Sequence, residues 1–387
     1  MKYWRGFICA AIFAALTWAL KDFAQTHTAL IDMLYPYTTR MILGSLAQWT
    51  STVDICLWQL VAILFAVGLL ASIVLMVVLR WNFVQWTGWV VAVCSLVYCL
   101  HTGIFGLNYY AGPISEDIRL TEREYTVTEM AEATTYYMQM ADKLSTQVPR
   151  NYDGSPKYPD FQTLAEMAGE GFENLKYDQH LAIFAGCTLP VKELGWADMY
   201  SSMGITGMFM PLTGEAAVNP QIPAVSLPFT MCHEMCHRNC IAIEGDANMG
   251  AYLACLANSD PMFQYSGYFM AFRYCYIALV NQGSSTAKAC AKEIMENMGS
   301  TLRQDMTDYE DFFKAARDET ATQIANTAND AYIKTSGDKE GVSSYSQVSD
   351  LLISWYIQEI YLPAHKEEVI VFDPTDKNQV DLSENVG

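Results

Sequence analysis

Ile55–Leu79 runs for 25 residues without a charged side chain, and Gln59 is its only strongly polar one. A bilayer core of about 30 Å needs roughly 20 apolar residues in a helix. This run is therefore long enough to cross a membrane, and in water it would expose apolar surface on every side. A second run, Phe83–Phe105, follows the short Arg80-Trp81-Asn82 break and is interrupted only by Gln85 and His101. A third precedes both: Gly6–Leu20 carries no charge over 15 residues, behind Lys2 and Arg5, with Tyr3 and Trp4 at a headgroup level. It ends in Trp18-Ala19-Leu20-Lys21 with no small-x-small cleavage site, so it reads as an uncleaved anchor rather than a secretory signal. The expectation is an anchor over 1–112 with three transmembrane helices at about 6–20, 55–79 and 83–105, and the lipid bilayer as its partner.

Charge divides the chain at the same place. The formal charge is −19, but residues 1–112 sum to +2 and residues 113–387 to −21. A strongly acidic body argues against nucleic acid as a partner, since that ligand needs a basic face. Lys2 and Arg5 before the first run, against a neutral Lys21/Asp22 pair after it, favour an inside N-terminus. Three crossings then leave the acidic body extracytoplasmic on a multi-pass cell-membrane protein.

The body reads as mainly helical. Helices are expected from Glu116 to about Gln147, from Asp160 to about Leu175, and over about Tyr345–Tyr361. Gly267–Val280 is apolar, yet at 14 residues containing Arg273 it suits a buried helix better than a fourth span. Residues 201–230 are broken up by glycine and proline. Met208–Leu212 and Ala216–Val218 fit short strands there, kept from the centre of a sheet by the prolines around them. The body is placed at 113–362, with a charged tail over 363–387.

The segment that carries chemistry is His233-Glu234-Met235-Cys236-His237. Two histidines four apart on a helix share one face, so both imidazoles can reach one ion at about 2.0–2.1 Å. Glu234 then stands beside the open coordination position, where a carboxylate can take a proton from a zinc-bound water and pass it to the leaving amine. A catalytic zinc also needs a third protein ligand, and Glu244 is the best candidate. On an unbroken helix Glu244 would lie about 10 Å beyond His237. The helix must therefore end near Asn239–Ala242, with Asn239 suited to a left-handed turn, so that a second helix opening at Glu244 swings back. Asp246 is the alternative ligand, or else orients a ligand histidine from behind.

Cys232, Cys236 and Cys240 line the same helix, and Cys240 as a thiolate ligand competes with plain packing. Tyr265 and Tyr268 offer a phenol for the developing oxyanion, Tyr268 being the catalytic candidate, with core packing as the alternative. Seven of the eleven cysteines lie in the body, and disulfides between some of them stay open. A third reading, an intramembrane protease, conflicts with Arg238, Asn239, Glu244 and Asp246 crowding the motif.

Several stretches together resemble an uncharacterised bacterial family of three-span membrane proteins with a zincin-like outer domain. They are Gly204–Asn219, Leu227-Pro228-Phe229-Thr230 with the His-Glu-Met-Cys-His motif, Glu244–Leu253, Tyr265–Tyr268, Asn329–Lys334 and Gly341–Tyr345. Members of that family tend to have glycine where Cys240 stands. Glu244-Gly-Asp-Ala247-Asn248 is also similar to the third-ligand motif of gluzincin peptidases. The resemblance implies a membrane-anchored α+β protein whose zincin-like metallopeptidase domain has a small sheet. It implies zinc held by His233, His237 and Glu244, and a peptide or protein substrate paired along the strand near Gly214–Asn219. The alternative is a metal-binding or scaffold ectodomain without turnover.

Overall fold

The computed structural model describes residues 2–337 and 347–365. It opens with four long helices: α1 (Arg5–Thr26), α2 (Thr28–Thr50), α3 (Leu57–Val78) and α4 (Phe83–Ile104). Of these, α1, α3 and α4 are long and apolar enough to cross a membrane. Helices α1 and α4 lie side by side and run parallel. Gly6 meets Gly88 so closely that a Cβ at Gly6 would strike the Gly88 backbone, and further on Lys21 Nζ donates to the Tyr98 hydroxyl at 2.7 Å. Helix α3 packs on almost nothing; Gln59 is its one buried residue.

Helix α2 was not anticipated. It carries Asp32, Pro36 and Arg40, and it buries Ile31, Thr39, Arg40, Leu43, Ala47 and Thr50 against the rest of the chain. The 1–112 segment therefore contains one helix whose inner face belongs to the body's packing.

The body follows as α5 (Ile114–Asp117), α6 (Val127–Ser145), α7 (Phe161–Met167), α8 (Gly169–Tyr177), α9 (Ala197–Ser202), α10 (Leu227–Arg238), α11 (Glu244–Ala257), α12 (Pro261–Gln282), α13 (Ser285–Asn297), α14 (Ser300–Ala316), α15 (Glu319–Ser336) and α16 (Gln347–Trp355). The helix expected from Glu116 starts at Val127 instead. A capping box explains this: the Thr126 side chain accepts from the Glu129 N–H, while the Glu129 carboxylate accepts from the Thr126 N–H. The helix expected from Asp160 does begin there, capped by Asp160, but divides at Ala168. Gly267–Val280 falls inside α12, whose Phe263, Tyr265, Phe269 and Phe272 are fully buried. One apolar core joins α6, α8, α10, α11, α12 and α16. The stretch Gly341–Tyr345 and the tail beyond 365 lie outside the described residues.

The sheet has three strands, β1 (Lys192–Glu193), β2 (Gly207–Met210) and β3 (Glu215–Val218), in the order β1-β3-β2. This corrects the expectation that proline bars these strands from a sheet centre. Pro211 and Pro220 fall outside 215–218, so β3 keeps its N–H groups and is the central strand. It pairs parallel with β1 (Lys192↔Ala217) and antiparallel with β2 (Gly207↔Val218, Met210↔Glu215).

Glu215 of β3 also holds the start of α3. Its carboxylate accepts from Leu57 N and Trp58 N, both at 2.8 Å, and from Lys192 Nζ at 2.8 Å. A carboxylate at a helix N-terminus satisfies donors that have no partner within the helix.

Candidate metal centre

Helix α10 opens at Leu227 and has Pro228 in its first turn, where no amide partner is needed. The next amide, Phe229 N–H, donates to Ser266 Oγ of α12 at 3.0 Å. The helix ends in a Schellman turn: Cys240 N–H donates to the His237 carbonyl (3.0 Å) and Ile241 N–H to the Cys236 carbonyl (3.1 Å). The left-handed residue is Cys240, with φ 72°, rather than Asn239, which keeps φ −87°. Glycine is the residue that usually fills this position.

Four residues after Cys240, α11 starts at Glu244, so the chain reverses and brings the carboxylate back over the two histidines. His233 Nε2 and His237 Nε2 are 3.1 Å apart, and Glu244 Oε2 lies 3.3 and 3.6 Å from them. Four ligands at about 2.0–2.1 Å from a tetrahedral zinc stand about 3.3–3.4 Å from one another. The observed edges of 3.1, 3.3 and 3.6 Å bracket that spacing, so the three residues could hold such an ion. One buried polar atom supports the fit: Glu244 Oε2, a corner of the triangle, has no hydrogen-bond partner.

The tautomer of His237 follows from its surroundings. Its Nδ1 faces the Ile241 carbonyl at 2.8 Å. A carbonyl can only accept, so Nδ1 carries the hydrogen and Nε2 of the neutral ring presents a lone pair to the triangle. Burial disfavours the imidazolium, but the Glu244 carboxylate outweighs it and lifts His237 to about 9. Burial would likewise raise the Glu244 carboxyl, yet His237 and His233 hold it far below the usual carboxylate range. In a metal-free site a proton occupies the place that a cation would take, which couples metal binding to proton release.

Glu234 lies beside this triangle and is 4% exposed. Burial pushes its carboxyl up to about 7, Glu244 adds to the push, and the two imidazoles pull against it. Its Oε2 has no hydrogen-bond partner. Gly207, the first residue of β2, passes so close that a Cβ there would collide with the Glu234 carboxylate. The Gly207 contact was not foreseen, although a glycine in a strand often marks such an approach.

Other expectations need revision. The Asp246 carboxylate accepts from Ile114 N (3.1 Å), and the carbonyl that faces His237 Nδ1 is that of Ile241. Tyr268 is not brought to the triangle. It meets Tyr136 hydroxyl to hydroxyl at 3.4 Å and packs among Tyr136, Tyr137 and Tyr252. Tyr265 donates to Asp305. The phenols raised by burial and also by the Glu244 charge are Tyr274, which donates to Asn248 Oδ1 at 3.2 Å, and Tyr332. Cys232 and Cys236 are buried within the core, and Cys240 faces Thr39 Oγ1 at 3.3 Å, so none joins the triangle. All eleven cysteines are unpaired. The strand expected to bind peptide, β3, is paired along both edges; β1 and β2 are the outer strands, and β2 is the one that passes Glu234.

The turn between α10 and α11 is gripped from outside by α2. Arg40 Nε donates to the Asn239 carbonyl (3.1 Å) and Arg40 Nη1 to the Ala182 carbonyl (2.9 Å), while Leu43 packs with Cys240 and Ala242. Asn239 Oδ1 accepts from Cys187 N at 2.9 Å.

Residues 32–353 match a family described as a protein of unknown function (DUF3810), and the chain belongs to that family. The match begins within α2 and ends within α16, so it takes in the metal triangle, the sheet and two of the three apolar spans. No curated protein and no solved structure matches the chain.

Proposed function

We propose that the protein is a membrane-anchored zinc metallopeptidase of zincin-like type, with its acidic body on the extracytoplasmic side. The observation that carries this is the joint placement of two imidazoles and a returning carboxylate at tetrahedral spacing, with the buried, unpartnered Glu234 carboxylate beside them. His233, His237 and Glu244 would hold the ion, leaving one coordination position for substrate or water. Zinc bound there supplies a Lewis acid that polarises a peptide carbonyl and lowers the pKa of a water.

The remaining work belongs to the protein. The outer edge of β2, which runs past Glu234 at Gly207, offers backbone groups for pairing with an extended peptide. Glu234 takes a proton from the attacking water as the water oxygen adds to the peptide carbon. It then delivers that proton to the amide nitrogen as the C–N bond breaks. A carboxyl raised toward neutrality suits both halves of this transfer. His233 and Glu244 keep side-chain exposures of 14% and 12%, so the triangle is not fully sealed.

The test uses full-length protein in detergent or nanodiscs, measuring zinc content and hydrolysis of a mixed peptide library. Glu234→Gln should retain zinc and lose about 10²–10⁴-fold in hydrolysis. Unchanged hydrolysis would refute the role of Glu234. Stoichiometric zinc with no turnover in the wild type would instead favour the non-catalytic metal-binding ectodomain.

A further inference from the structure

Helix α2 presents two unlike faces. Its inner face holds Thr39, Arg40, Leu43 and Ala47 against the turn that positions Glu244 and against the sheet loop. The opposite face over its first four turns is Leu30, Leu34 and Met41, flanked by Met33 and Tyr37, which also edge the cleft beside Arg40 and Asp246; Met33 is 59% and Met41 76% exposed. Bulky apolar side chains on the face turned away from the body call for a cover, and the chain's own connectivity says which. Only His27 separates α1 from α2, and only 51–56 separate α2 from α3.

Both ends of α2 are also pinned where the spans meet the body. Tyr35 Oη donates to the Thr102 carbonyl near the end of α4 at 3.1 Å. Lys192 Nζ donates to the Thr50 carbonyl at 2.8 Å and also binds the Glu215 carboxylate that caps α3. A rod of 23 residues, about 35 Å long, tied at both ends to spans that emerge from the same leaflet must lie along that leaflet. With the body on one side, its other side faces lipid. Trp49, 70% exposed near the C-terminal end, and Tyr37 are residue types that favour the headgroup layer.

We infer that α2 is an in-plane membrane helix whose outer face rests in the headgroup and acyl boundary of the bilayer, so that the metal centre is built on the back of a membrane-bound element. The inference rests on the anchored reading proposed above. An amphipathic helix of this kind buries its apolar face about 5–10 Å into the boundary, and one helix diameter, about 10–12 Å, then separates lipid from the turn that sets Glu244.

The test places the photoreactive p-benzoyl-phenylalanine at Met41, and separately at Met33, in the full-length protein reconstituted in phosphatidylcholine/phosphatidylglycerol nanodiscs. Irradiation is followed by intact-mass detection of phospholipid adducts. Leu70 in α3 serves as the span reference, and Tyr152, in an exposed turn of the body, as background. Adducts at Met41 and Met33 comparable to Leu70, and at least several-fold above Tyr152, are expected. Labelling at Leu70 with only background at both α2 positions would overturn the inference and leave the anchored reading intact. Background at Leu70 would overturn both. A cross-linked second copy of the chain at Met41, without lipid adducts, would overturn the inference by assigning the face to self-association.

Discussion

Helices α2 and α3 are neighbours of nearly equal length, 23 and 22 residues, separated by six residues. Helix α3 is apolar on every side and buries one residue; α2 mixes Asp32, Arg40 and four threonines with apolar side chains and buries six residues. The first is held in place by solvent preference, since lipid accepts any apolar side chain at any of its positions. The second is held by particular contacts, among them two hydrogen bonds from Arg40 to backbone carbonyls. The same stretch of chain thus contains one element that composition alone can specify and one that only a partner surface can.

Substitution should separate the two helices. Leu43→Ala in α2 removes a fully buried side chain from the cluster formed with Cys240 and Ala242. It should cost about 2–5 kcal/mol, read as a lower thermal midpoint in detergent, and should weaken zinc retention. Leu70→Ala in α3, at a position 64% exposed, should leave the midpoint within the experimental scatter. Equal losses at the two sites would erase the distinction.

A smaller effect sharpens it at the turn that α2 supports. Cys240 occupies the left-handed region without being glycine, which costs about 1–2 kcal/mol. Cys240→Val adds a β-branched side chain there and should lower the midpoint. Cys240→Gly relieves the backbone but forfeits packing against Leu43, so its midpoint should stay close to that of the wild type. The ranking Gly above Val is the outcome to check.

The smallest expected change lies in the body, far from both helices. Thr126→Ala removes half of the capping box and should cost about 1 kcal/mol. Glu129, held below the usual carboxylate range by the Thr126 N–H and also by the Thr126 hydroxyl, which alanine lacks, and by Arg123, supplies stability that is present above its unfolded pKa and is lost as pH falls through its folded one. The variant should therefore show a shallower loss of midpoint on acidification. An acid response as steep as that of the wild type would contradict the contribution of the box.

These contrasts also explain what was legible beforehand. The spans could be read because a membrane makes one demand on some 20 consecutive residues. The histidine pair could be read because four-residue spacing on a helix is local geometry, and Glu244 because a third donor had to come from a chain that turns back. Helix α2 could not be read in the same way: Pro36 interrupts its interior, and its buried Arg40 finds acceptors at Ala182 and Asn239, far along the sequence. The turn residue was misplaced by one position because Asn239 is spent on Cys187 and Arg40, which leaves Cys240 to take the positive φ. Tyr268 offered a phenol for the oxyanion or for core packing, and helix phase on α12 points it into a tyrosine cluster with α6. The central place of β3 depends on β1, two residues long and too short to announce itself.

The central claim is that one metal ion sits between His233, His237 and Glu244. X-ray absorption at the zinc edge, on full-length protein loaded with one equivalent of zinc, tests it directly. The account predicts a shell of two imidazole nitrogens at about 2.0–2.1 Å with light oxygen donors, and loss of both nitrogens when His233 and His237 are replaced by alanine. Sulfur in the shell, or a shell unchanged by that double replacement, would contradict it.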